Sequence, residues 1–595
     1  MTRSRNPFPR PLLTFAILAC TVVGGAGIAQ AELSEVVPGV SYERLTRPGQ
    51  VYHVVRVTQG PLIGIRPVLT GGAPSRRAPL TTAMRARLGD GAVIGVNGDY
   101  FNLDNAYPSG LLMTGGEIVN EPEPTRSALI FPANGRLTSA KVELVGTWQA
   151  SDPAPAPPLP ERGFIGVNRP AERENETIVY TPAYGDVTPE GNRFDALITM
   201  DDPAGPGVNR PLTGVVHSVK AGGGTGISPG MLVISGVGTA ANNVQSDLTP
   251  GRRVTMSFTV AGLPADTIAA IGGGPALVQD GVALGSVSEG FTSNQIGIHT
   301  SRTAVGQTAD GTALLVTAEG PAQGSHGVSM VEQAQLMASL GAQTAVGMDG
   351  GGSAAMALRG SLLVPWASER AITNAVVVSY GGVQLTAPPT FLSPNGDGVA
   401  DRGRTTARVA TAGTVRIALA RPNGRTIRTL YNGALGPSGR HINLDARTLK
   451  VADGRYRVIA RFTPSDGSTR TIHSRDVAID RTLGFLRIKK IGAVPKIKAR
   501  VAFRIAKSTR VTAVIKNAKG GAVKLLFRNR RFAKGRWTAL WDLKSHGKRV
   551  KPGIYTVIVS VQTAAGRSAL TGRVRVAKLT KPKPPVAPAI AKATR

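Results

Sequence analysis

The chain has 595 residues, which is too long for one hydrophobic core and predicts several domains. It is strongly basic, with 70 lysines and arginines against 37 aspartates and glutamates. Gly (73) and Pro (42) are frequent and long helical patterns are rare, so the composition favours a chain rich in strands and turns over a mainly helical one.

The first 31 residues have the features of a secretion signal. Three arginines precede an apolar stretch over residues 12–28, and Ala-Gln-Ala at 29–31 offers a small-x-small cleavage site. We therefore expect a secreted protein that is extracellular or associated with the cell wall. The only cysteine, Cys20, lies inside the signal, and because apolar residues continue past it, simple secretion is favoured over a lipoprotein anchored through Cys20. No later stretch has the length and apolarity of a membrane span.

The positive charge is concentrated near the C-terminus. Residues 481–595 contain 30 basic residues and one acidic residue, whereas the preceding 480 residues contain 40 basic and 36 acidic residues. A secreted polycation is expected to meet an anionic cell-wall polymer or an anionic membrane surface through this segment. Nucleic acid is not expected as a partner, because the segment is exported and has no recognition motif.

Polar side chains and glycines follow apolar stretches in the first half of the chain. An apolar strand at 92–96 runs into Asn-Gly-Asp-Tyr-Phe at 97–101, and three glycines at 272–274 lie beside another apolar segment. Arg302 stands between small polar residues at a strand start, where a guanidinium suits a phosphate clamp because it pairs bidentately with phosphate oxygens. The ordinary alternatives are an Asn-Gly turn at 97–98 and a surface arginine.

A helix, a strand and a glycine run follow one another between residues 329 and 353. Ser329 and Glu332 have the spacing of a capping box, the apolar pattern continues to Leu340, and Gly341 stands where a left-handed C-cap belongs. The strand after it ends in Asp-Gly-Gly-Gly-Ser at 349–353, where glycines let a ligand approach the backbone. Two ordinary explanations stay open: a tight glycine hairpin, and a glutamate that only closes the helix cap.

Taken together, these motifs resemble the phosphodiester glycosidase domain. In chain order they lie at 97–101, 272–275, 302–306, 329–332 and 349–353. The resemblance covers residues 35–383. It implies an α+β (mixed α/β) catalytic fold and hydrolysis of a sugar-1-phosphate diester at the glycosidic bond.

The resemblance also transfers candidate site residues. The candidate catalytic residues are Asp349, Arg302, Glu332, Glu319 and Asn97. The candidate substrate-binding residues are Gly350, Gly351, Gly352, Ser353, His299, Thr303, Asp99 and Phe101. The sequence departs from the family at Asp99, where a second glycine is usual, and at 319–321, where Glu-Gly-Pro replaces Asp-Gly-Arg and removes a phosphate ligand.

Glycosyl phosphate cleavage requires stabilisation of an oxocarbenium-like sugar and of the departing phosphate. Asp349 is the expected carboxylate facing the sugar, with Glu319 or Glu332 as its acid/base partner. Arg302 and the backbone N–H groups of 350–352 are expected to bind the phosphate, the latter as an anion-binding nest. No cofactor is certain; a divalent cation such as Ca²⁺ could sit at Asp349 and Asp99, although no histidine-rich ligand set accompanies them.

Past residue 388 the pattern changes to the alternating strands of two further domains. Residues 389–480 and 482–578 are expected to form two all-β immunoglobulin-like sandwiches that repeat one another, since the Gly-x-Tyr ending at Tyr456 returns at Tyr555. Both resemble the Ig-like domain of flagellar hook-capping proteins, which implies a spacer or a wall-binding unit.

The start of the first Ig-like domain offers oxygen ligands at close spacing. Asn395, Asp397 and Asp401 resemble the calcium-prone start of secreted modules, and an Asn-Gly/Asp-Gly turn explains them equally well. The basic Pro/Ala tail has no core and is expected to be disordered. The expected order is signal peptide 1–31, phosphodiester glycosidase-like domain 32–385, Ig-like domain 389–480, basic Ig-like domain 482–578 and tail 579–595.

Three functions are compatible with these observations. The first is a secreted hydrolase of the glycosidic bond of sugar-1-phosphodiesters in cell-envelope glycans or related polymers. The second is a phosphodiesterase that cuts teichoic-type polymers on the other side of the phosphate. The third is a non-catalytic glycan-binding envelope protein, in which the altered sequence at 319–321 marks lost activity.

Overall fold

The structure is a computed structural model, and it describes residues 32–153, 157–202, 207, 210–284, 289–386, 388, 389, 391–445, 449–491, 497–518 and 520–577. The expected signal peptide, including Cys20, and the expected tail at 579–595 lie outside these residues. No helix in the described ranges is long and apolar enough to cross a membrane.

The part of the chain before residue 386 is dominated by strands. Its strands are β1 (Glu32–Val37), β2 (Val40–Arg47), β3 (Gln50–Val57), β4 (Ile63–Leu69), β5 (Ala78–Pro79), β6 (Ala92–Asn97), β7 (Leu112–Thr114), β8 (Glu117–Asn120), β9 (Ser127–Pro132), β10 (Thr138–Lys141), β11 (Glu143–Ser151), β12 (Arg162–Phe164), β13 (Gly166–Val167), β14 (Thr177–Tyr180), β15 (Glu190–Met200), β16 (Leu212–Gly223), β17 (Met231–Val237), β18 (Arg253–Ala261), β19 (Thr267–Ile271), β20 (Ala276–Gln279), β21 (Val282–Ala283), β22 (Arg302–Thr308), β23 (Ala313–Ala318), β24 (Ala342–Gly347), β25 (Met356–Leu358), β26 (Ser361–Leu362), β27 (Ala371–Ile372), β28 (Asn374–Tyr380) and β29 (Gln384–Leu385).

The α+β (mixed α/β) fold class expected for this region is wrong, because strands make up most of it. The described residues before position 386 hold four helices of five to ten residues: α1 (Leu80–Ala86), α2 (Thr239–Asp247), α3 (Ser293–Gly297) and α4 (Met330–Ser339). Neighbouring strands pair antiparallel except β13 with β14, so the crossover helices of an α/β fold are not required.

Four large sheets form this region. Their strand orders are β1-β2-β3-β23-β22-β24-β20-β21, β26-β25-β6-β28-β4, β10-β9-β19-β7-β8 and β12-β11-β18-β16-β15-β17-β14-β13. One buried core joins the first three sheets, with Val55, Val96, Leu129, Val305 and Val376 among its members. The C-terminal ends of β6, β19 and β24 and the start of β22 lie close together. This packing therefore brings together motifs that are far apart in the sequence.

The helix predicted between the capping box and Gly341 is present as α4. The Ser329 hydroxyl accepts a hydrogen bond from the Glu332 N–H, and the Glu332 carboxylate accepts one from the Ser329 N–H. Gly341 has φ +92, the left-handed conformation expected after the C-cap. The helix buries Leu336 and Met337 against the first sheet, which fixes the strand that follows.

Two further groups of sheets follow. Their strands are β30 (Phe391–Leu392), β31 (Arg402–Arg408), β32 (Gly413–Ala420), β33 (Thr426–Leu435), β34 (Arg440–Asp445), β35 (Gly454–Pro464), β36 (Thr471–Ile479), β37 (Leu483–Ile491), β38 (Lys498–Ile505), β39 (Thr509–Lys516), β40 (Ala522–Phe532), β41 (Gly535–Trp541), β42 (Lys544–Ser545), β43 (Lys548–Arg549), β44 (Gly553–Thr563) and β45 (Gly566–Val576).

Each group pairs a three-stranded sheet with a larger one around its own core, as in an Ig-like sandwich. The Tyr456 hydroxyl donates to the Ala452 carbonyl at 2.6 Å, and the Tyr555 hydroxyl donates to the Lys551 carbonyl at 2.8 Å. The two tyrosines of the sequence repeat therefore make the same contact four residues upstream. Strand β29, from residues assigned by sequence to the preceding domain, joins the first of these sheets through β31.

Candidate active site

A buried amide holds three of the sequence motifs together. Asn97, at the end of β6, donates from Nδ2 to the Asp349 carbonyl at 2.8 Å. Its Oδ1 accepts from the Thr303 hydroxyl at 2.7 Å and from the Ala355 N–H at 2.9 Å. Because both ends of its amide have partners, Asn97 acts as a positioning residue that fixes the loop after β24, and Thr303 supports it.

Asp349 lies at the point where the motifs meet. Its backbone N–H donates to the Gly98 carbonyl at 3.0 Å, and its carboxylate accepts hydrogen bonds from the Ser353 side chain and the Gly350 N–H. Burial raises the pKa of Asp349 to about 6, although these hydrogen bonds and the charges of Arg370 and Arg126 act to lower it. A carboxyl with this pKa is ionised at neutral pH and protonates in mild acid.

The glycines at 350–352 leave space beside the backbone, but some of their N–H groups already have acceptors. The Gly351 N–H donates to the Ser301 carbonyl at 2.8 Å, and Gly351 has φ +55. The Gly350 N–H donates to the Asp349 carboxylate. Two of the three N–H groups expected to bind phosphate therefore have acceptors within the protein. A Cβ at Gly352 would lie 2.7 Å from Nη2 of Arg370, so a side chain there would displace this guanidinium.

Arg302 is buried at the start of β22, with 5% of its surface exposed. Its Nε donates to the Val328 carbonyl at 2.9 Å, and its Nη2 donates to the carbonyls of Gln295 and Ile298 at 2.8 and 3.0 Å. Its Nη1 lies 3.7 Å from the position of a Cβ at Gly350. Burial lowers the pKa of Arg302, yet the group stays charged at any physiological pH. Neutral carbonyls thus hold a full positive charge beside Asp349.

Two further arginines border the site, and sequence reasoning missed both. Arg126 places its guanidinium 5.1 Å from the centre of the Tyr100 ring, and its Nη2 donates to the Ser109 carbonyl at 2.9 Å. Nη1 of Arg370 donates to the Ser353 hydroxyl at 3.3 Å. Neither residue belongs to a recognisable motif, because each lies in a connection that only the fold brings to Asp349.

Asp99, the other departure from the family pattern, is buried behind the site. Its Oδ1 accepts from the Tyr100 N–H at 2.7 Å and lies 3.5 Å from Nη1 of Arg126, whereas its Oδ2 is buried without a hydrogen-bond partner. Burial raises the pKa of Asp99 to about 7, against the lowering charge of Arg126. A Cβ at Gly272 would lie 2.3 Å from Oδ2, which explains a glycine at this position of the 272–274 run.

Tyr100, the residue after Asp99, lies within range of the charge of Asp349. Its ring packs 5.4 Å from that of Phe291, and burial together with the charge of Asp349 raises its pKa. The neighbouring Phe101 points the other way, into a core with Leu80 and Met84. The expected contact of Phe101 with substrate stays a prediction.

Glu319 is engaged in a buried network at the end of β23. Its Oε1 lies 3.0 Å from Nε2 of His53, and its Oε2 accepts from the Ser325 hydroxyl at 3.3 Å. The Tyr42 hydroxyl contacts the other nitrogen of His53 at 2.9 Å, and burial lowers the pKa of this histidine. To serve as an acid/base, Glu319 would have to leave these partners.

Glu332 and His299 lie on the rim. The Glu332 carboxylate accepts from the Ser329 N–H at 2.8 Å and lies 2.9 Å from Nε2 of His299, and both side chains are about half exposed. The backbone hydrogen bond from Ser329 is the main cause that lowers the pKa of Glu332. Its observed contacts are those of a helix cap, while its catalytic role stays a prediction.

The described residues contain no group of three or more His, Cys, Asp or Glu side chains that could hold a metal ion. In the first Ig-like domain, both carboxylate oxygens of Asp401 accept from the N–H groups of Gly396 and Gly398, at 2.9 and 2.8 Å. Asn395 likewise accepts from the Asp397 N–H at 3.0 Å. Asp397 accepts from the Val399 N–H in the same turn and from the Phe485 N–H outside it, so the oxygens proposed as calcium ligands have hydrogen-bond donors within the protein.

Residues 207–379 match the family model described as phosphodiester glycosidase. The match includes Arg302 and Asp349 and leaves Asn97 and Asp99 outside. It covers less than a third of the chain. No curated protein matches the sequence.

Many solved structures resemble the chain, among them the three that follow. A hypothetical protein from Synechocystis is 22% identical with a TM-score of 0.48, covering 59% of this chain and 64% of that one, which is less than two thirds of its length. A protein described as exported, from Burkholderia pseudomallei K96243, is 23% identical with a TM-score of 0.43, covering 56% and 74%. The zebrafish N-acetylglucosamine-1-phosphodiester alpha-N-acetylglucosaminidase catalytic domain, auto-inhibited by its pro-peptide, is 13% identical with a TM-score of 0.28, covering 60% and 85%. Similarity at this level establishes no activity.

Proposed function

We propose that the protein is a secreted hydrolase that cleaves the glycosidic bond of sugar-1-phosphodiesters in cell-envelope glycans or related polymers. The observation that carries the proposal is the placement of Asp349, a carboxyl with a raised pKa, near the guanidinium groups of three arginines. Arg302 and Arg370 donate to neutral carbonyl and hydroxyl groups, and Arg126 donates to a carbonyl and lies 3.5 Å from the Asp99 carboxylate. The family match of residues 207–379 supports the same reaction class. The signal-like sequence at 1–31 supports secretion.

The arginines suit the phosphate side of the reaction. A glycosyl phosphate leaves as an anion, and guanidinium groups fixed before the reaction stabilise that charge without rearrangement. Arg302 is the best placed, since its hydrogen bonds to the Val328, Gln295 and Ile298 carbonyls fix the orientation of its guanidinium. Arg126 and Arg370, which lie in two different connections between strands, add further positive charge.

Asp349 suits the sugar side. An ionised carboxylate stabilises the positive charge that develops on the anomeric carbon, either electrostatically or as a nucleophile. Since the pKa of Asp349 is about 6, this ionised form dominates at neutral pH. A phosphate leaving group neutralised by arginines needs little protonation, so the engagement of Glu319 and Glu332 elsewhere is compatible with the reaction.

The test is incubation of the full chain with an N-acetylglucosamine-1-phosphodiester, with and without EDTA, followed by identification of the products. We expect free sugar and a phosphomonoester. Sugar phosphate and an alcohol would instead indicate the phosphodiesterase. No turnover of this compound or of purified wall polymers would favour the glycan-binding protein, and loss of activity in EDTA would reveal a required metal.

A further inference from the structure

One face of the last described domain exposes six basic residues and no acidic residue. Its three-stranded sheet β37-β38-β41 alternates between buried apolar residues and exposed residues. We call the exposed side the cationic face; its basic residues are Arg487, Lys489, Lys498, Arg500, Arg504 and Arg536.

Strand register places these cations side by side. Lys489 pairs with Arg500 across β37 and β38, and Arg504 pairs with Arg536 across β38 and β41. Paired residues lie about 5 Å apart and alternate residues along a strand about 7 Å apart. Like charges at such distances repel one another, so the face retains a destabilising feature that an anionic ligand would relieve.

Few acidic groups within reach compensate this charge. Asp542 is the one acidic residue between 481 and 595, and its carboxylate accepts the Lys544 N–H at 3.1 Å. In the described part of this segment, Arg481 and Lys507 both form ion pairs with Asp453 of the preceding domain, at 2.7 and 3.2 Å, and the Asp397 carboxylate accepts a hydrogen bond from the Phe485 N–H of β37 at 2.5 Å. None of these carboxylates forms an ion pair with a cation of the cationic face, so the field of the face extends into solvent.

The opposite sheet carries cations as well, at Arg510 and Lys516 on β39 and at Arg567, Arg573 and Arg575 on β45. The outward side of β44, which lies between these two strands, presents Ile554, Thr556 and Ile558, which are neutral. Neutral side chains therefore separate the cations of β39 from those of β45, whereas the cationic face has cations on all three of its strands.

We propose that the cationic face binds an extended polymer that carries phosphodiester groups, and thereby holds the catalytic domain on its substrate. The choice of a phosphate-bearing polymer rests on the proposed function, whereas the polyanion-binding face does not. A flat row of charges suits a long flexible polyanion. Among large apolar side chains, the face exposes Leu540, which is too little to anchor a protein in a bilayer.

The test compares two charge-matched variants of the full chain for binding to immobilised poly(glycerol phosphate) and to vesicles containing phosphatidylglycerol, across a salt series. The face variant carries Arg500→Glu, Arg504→Glu and Arg536→Glu. We expect it to bind the polymer at least about tenfold more weakly than the unmodified chain at low salt, with a smaller salt dependence.

The control variant carries Arg510→Glu, Arg573→Glu and Arg575→Glu, on the outward side of the opposite sheet. It is expected to keep most polymer binding. Equal weakening in both variants would show diffuse attraction and overturn the assigned face, and preference of the unmodified chain for vesicles over polymer would overturn the assigned partner.

An Asp349→Asn chain separates this inference from the proposed function. It should bind the polymer as the unmodified chain does. Binding without hydrolysis by the unmodified chain would leave the cationic face standing and remove the catalytic proposal, whereas hydrolysis without face-dependent binding would do the reverse.

Discussion

The protein uses arginine in two physically different ways. Arg302 is buried and its guanidinium is oriented by three backbone carbonyls, whereas Arg500 lies exposed among like charges on a flat sheet. The first arrangement fixes donors in space and suits one anionic group. The second supplies a field that salt screens and that tolerates many geometries. Mutations should therefore separate the effect of donor geometry at Arg302 from the effect of positive charge at Arg500.

The largest expected effect is that of Asp349→Asn. Removing the carboxylate should lower turnover of a sugar-1-phosphodiester by about a thousandfold, the scale of losing a preorganised charge interaction. Asparagine is nearly isosteric, so circular dichroism and polymer binding should be unchanged. Asp310→Asn, in the turn at the far end of the β22–β23 hairpin, is the matched control. Turnover that persisted in Asp349→Asn would show that another carboxylate acts.

The second largest expected effect is that of Arg302→Lys, which keeps the positive charge but loses the planar guanidinium and its several N–H donors. One or two lost hydrogen bonds to a charged group, at about 1.5–3 kcal/mol each, should lower kcat/KM by about ten- to a hundredfold or more. Arg500→Lys on the cationic face should leave polymer binding unchanged. Equal effects of the two substitutions would contradict the distinction between geometry and field.

Asp99→Asn should change the pH dependence of stability. The folded-state pKa of Asp99, about 7, lies above its ordinary value of 3.8, so the protonated form is favoured in the fold. Asp99 therefore contributes to the free energy of unfolding at low pH. This contribution is lost as the pH rises from about 4 to 7, at up to about 1.4 kcal/mol per pH unit. The Tm of Asp99→Asn relative to the unmodified chain should rise across this window. A constant difference would rule out the raised pKa.

The smallest expected effect is that of Glu332→Gln. Glutamine also fits a capping box, so Tm should fall by a few degrees at most, and turnover should stay within about twofold. Glu332→Ala should cost roughly 1 kcal/mol of stability through the lost cap. Strong loss of turnover in the glutamine variant would restore Glu332 as the acid/base.

Local signals in the sequence were reliable where a short segment determines its own structure. The Ser329/Glu332 capping box and the left-handed Gly341 were both predicted from the sequence, and both are present. Phosphate binding by the N–H groups of 350–352 stays a prediction, and only the fold shows that the Gly351 N–H already donates to the Ser301 carbonyl.

Non-local features were not recoverable. The fold class was wrong although composition already favoured strands, since the resemblance and one clear helix outweighed it. Arg126 and Arg370 reach the site from connections whose paths depend on sheet packing, and nothing in their neighbouring residues indicates this. The cationic face needed the register of β37, β38 and β41 to separate it from general basicity.

The most direct test of the account is hydrolysis of a sugar-1-phosphodiester in ¹⁸O-labelled water by the full chain. Attack at the anomeric carbon places the label in the free sugar and leaves the phosphomonoester unlabelled, and Asp349→Asn should abolish this transfer. Label in the phosphate product would show cleavage of the phosphorus–oxygen bond and contradict the glycosidase mechanism built on Asp349.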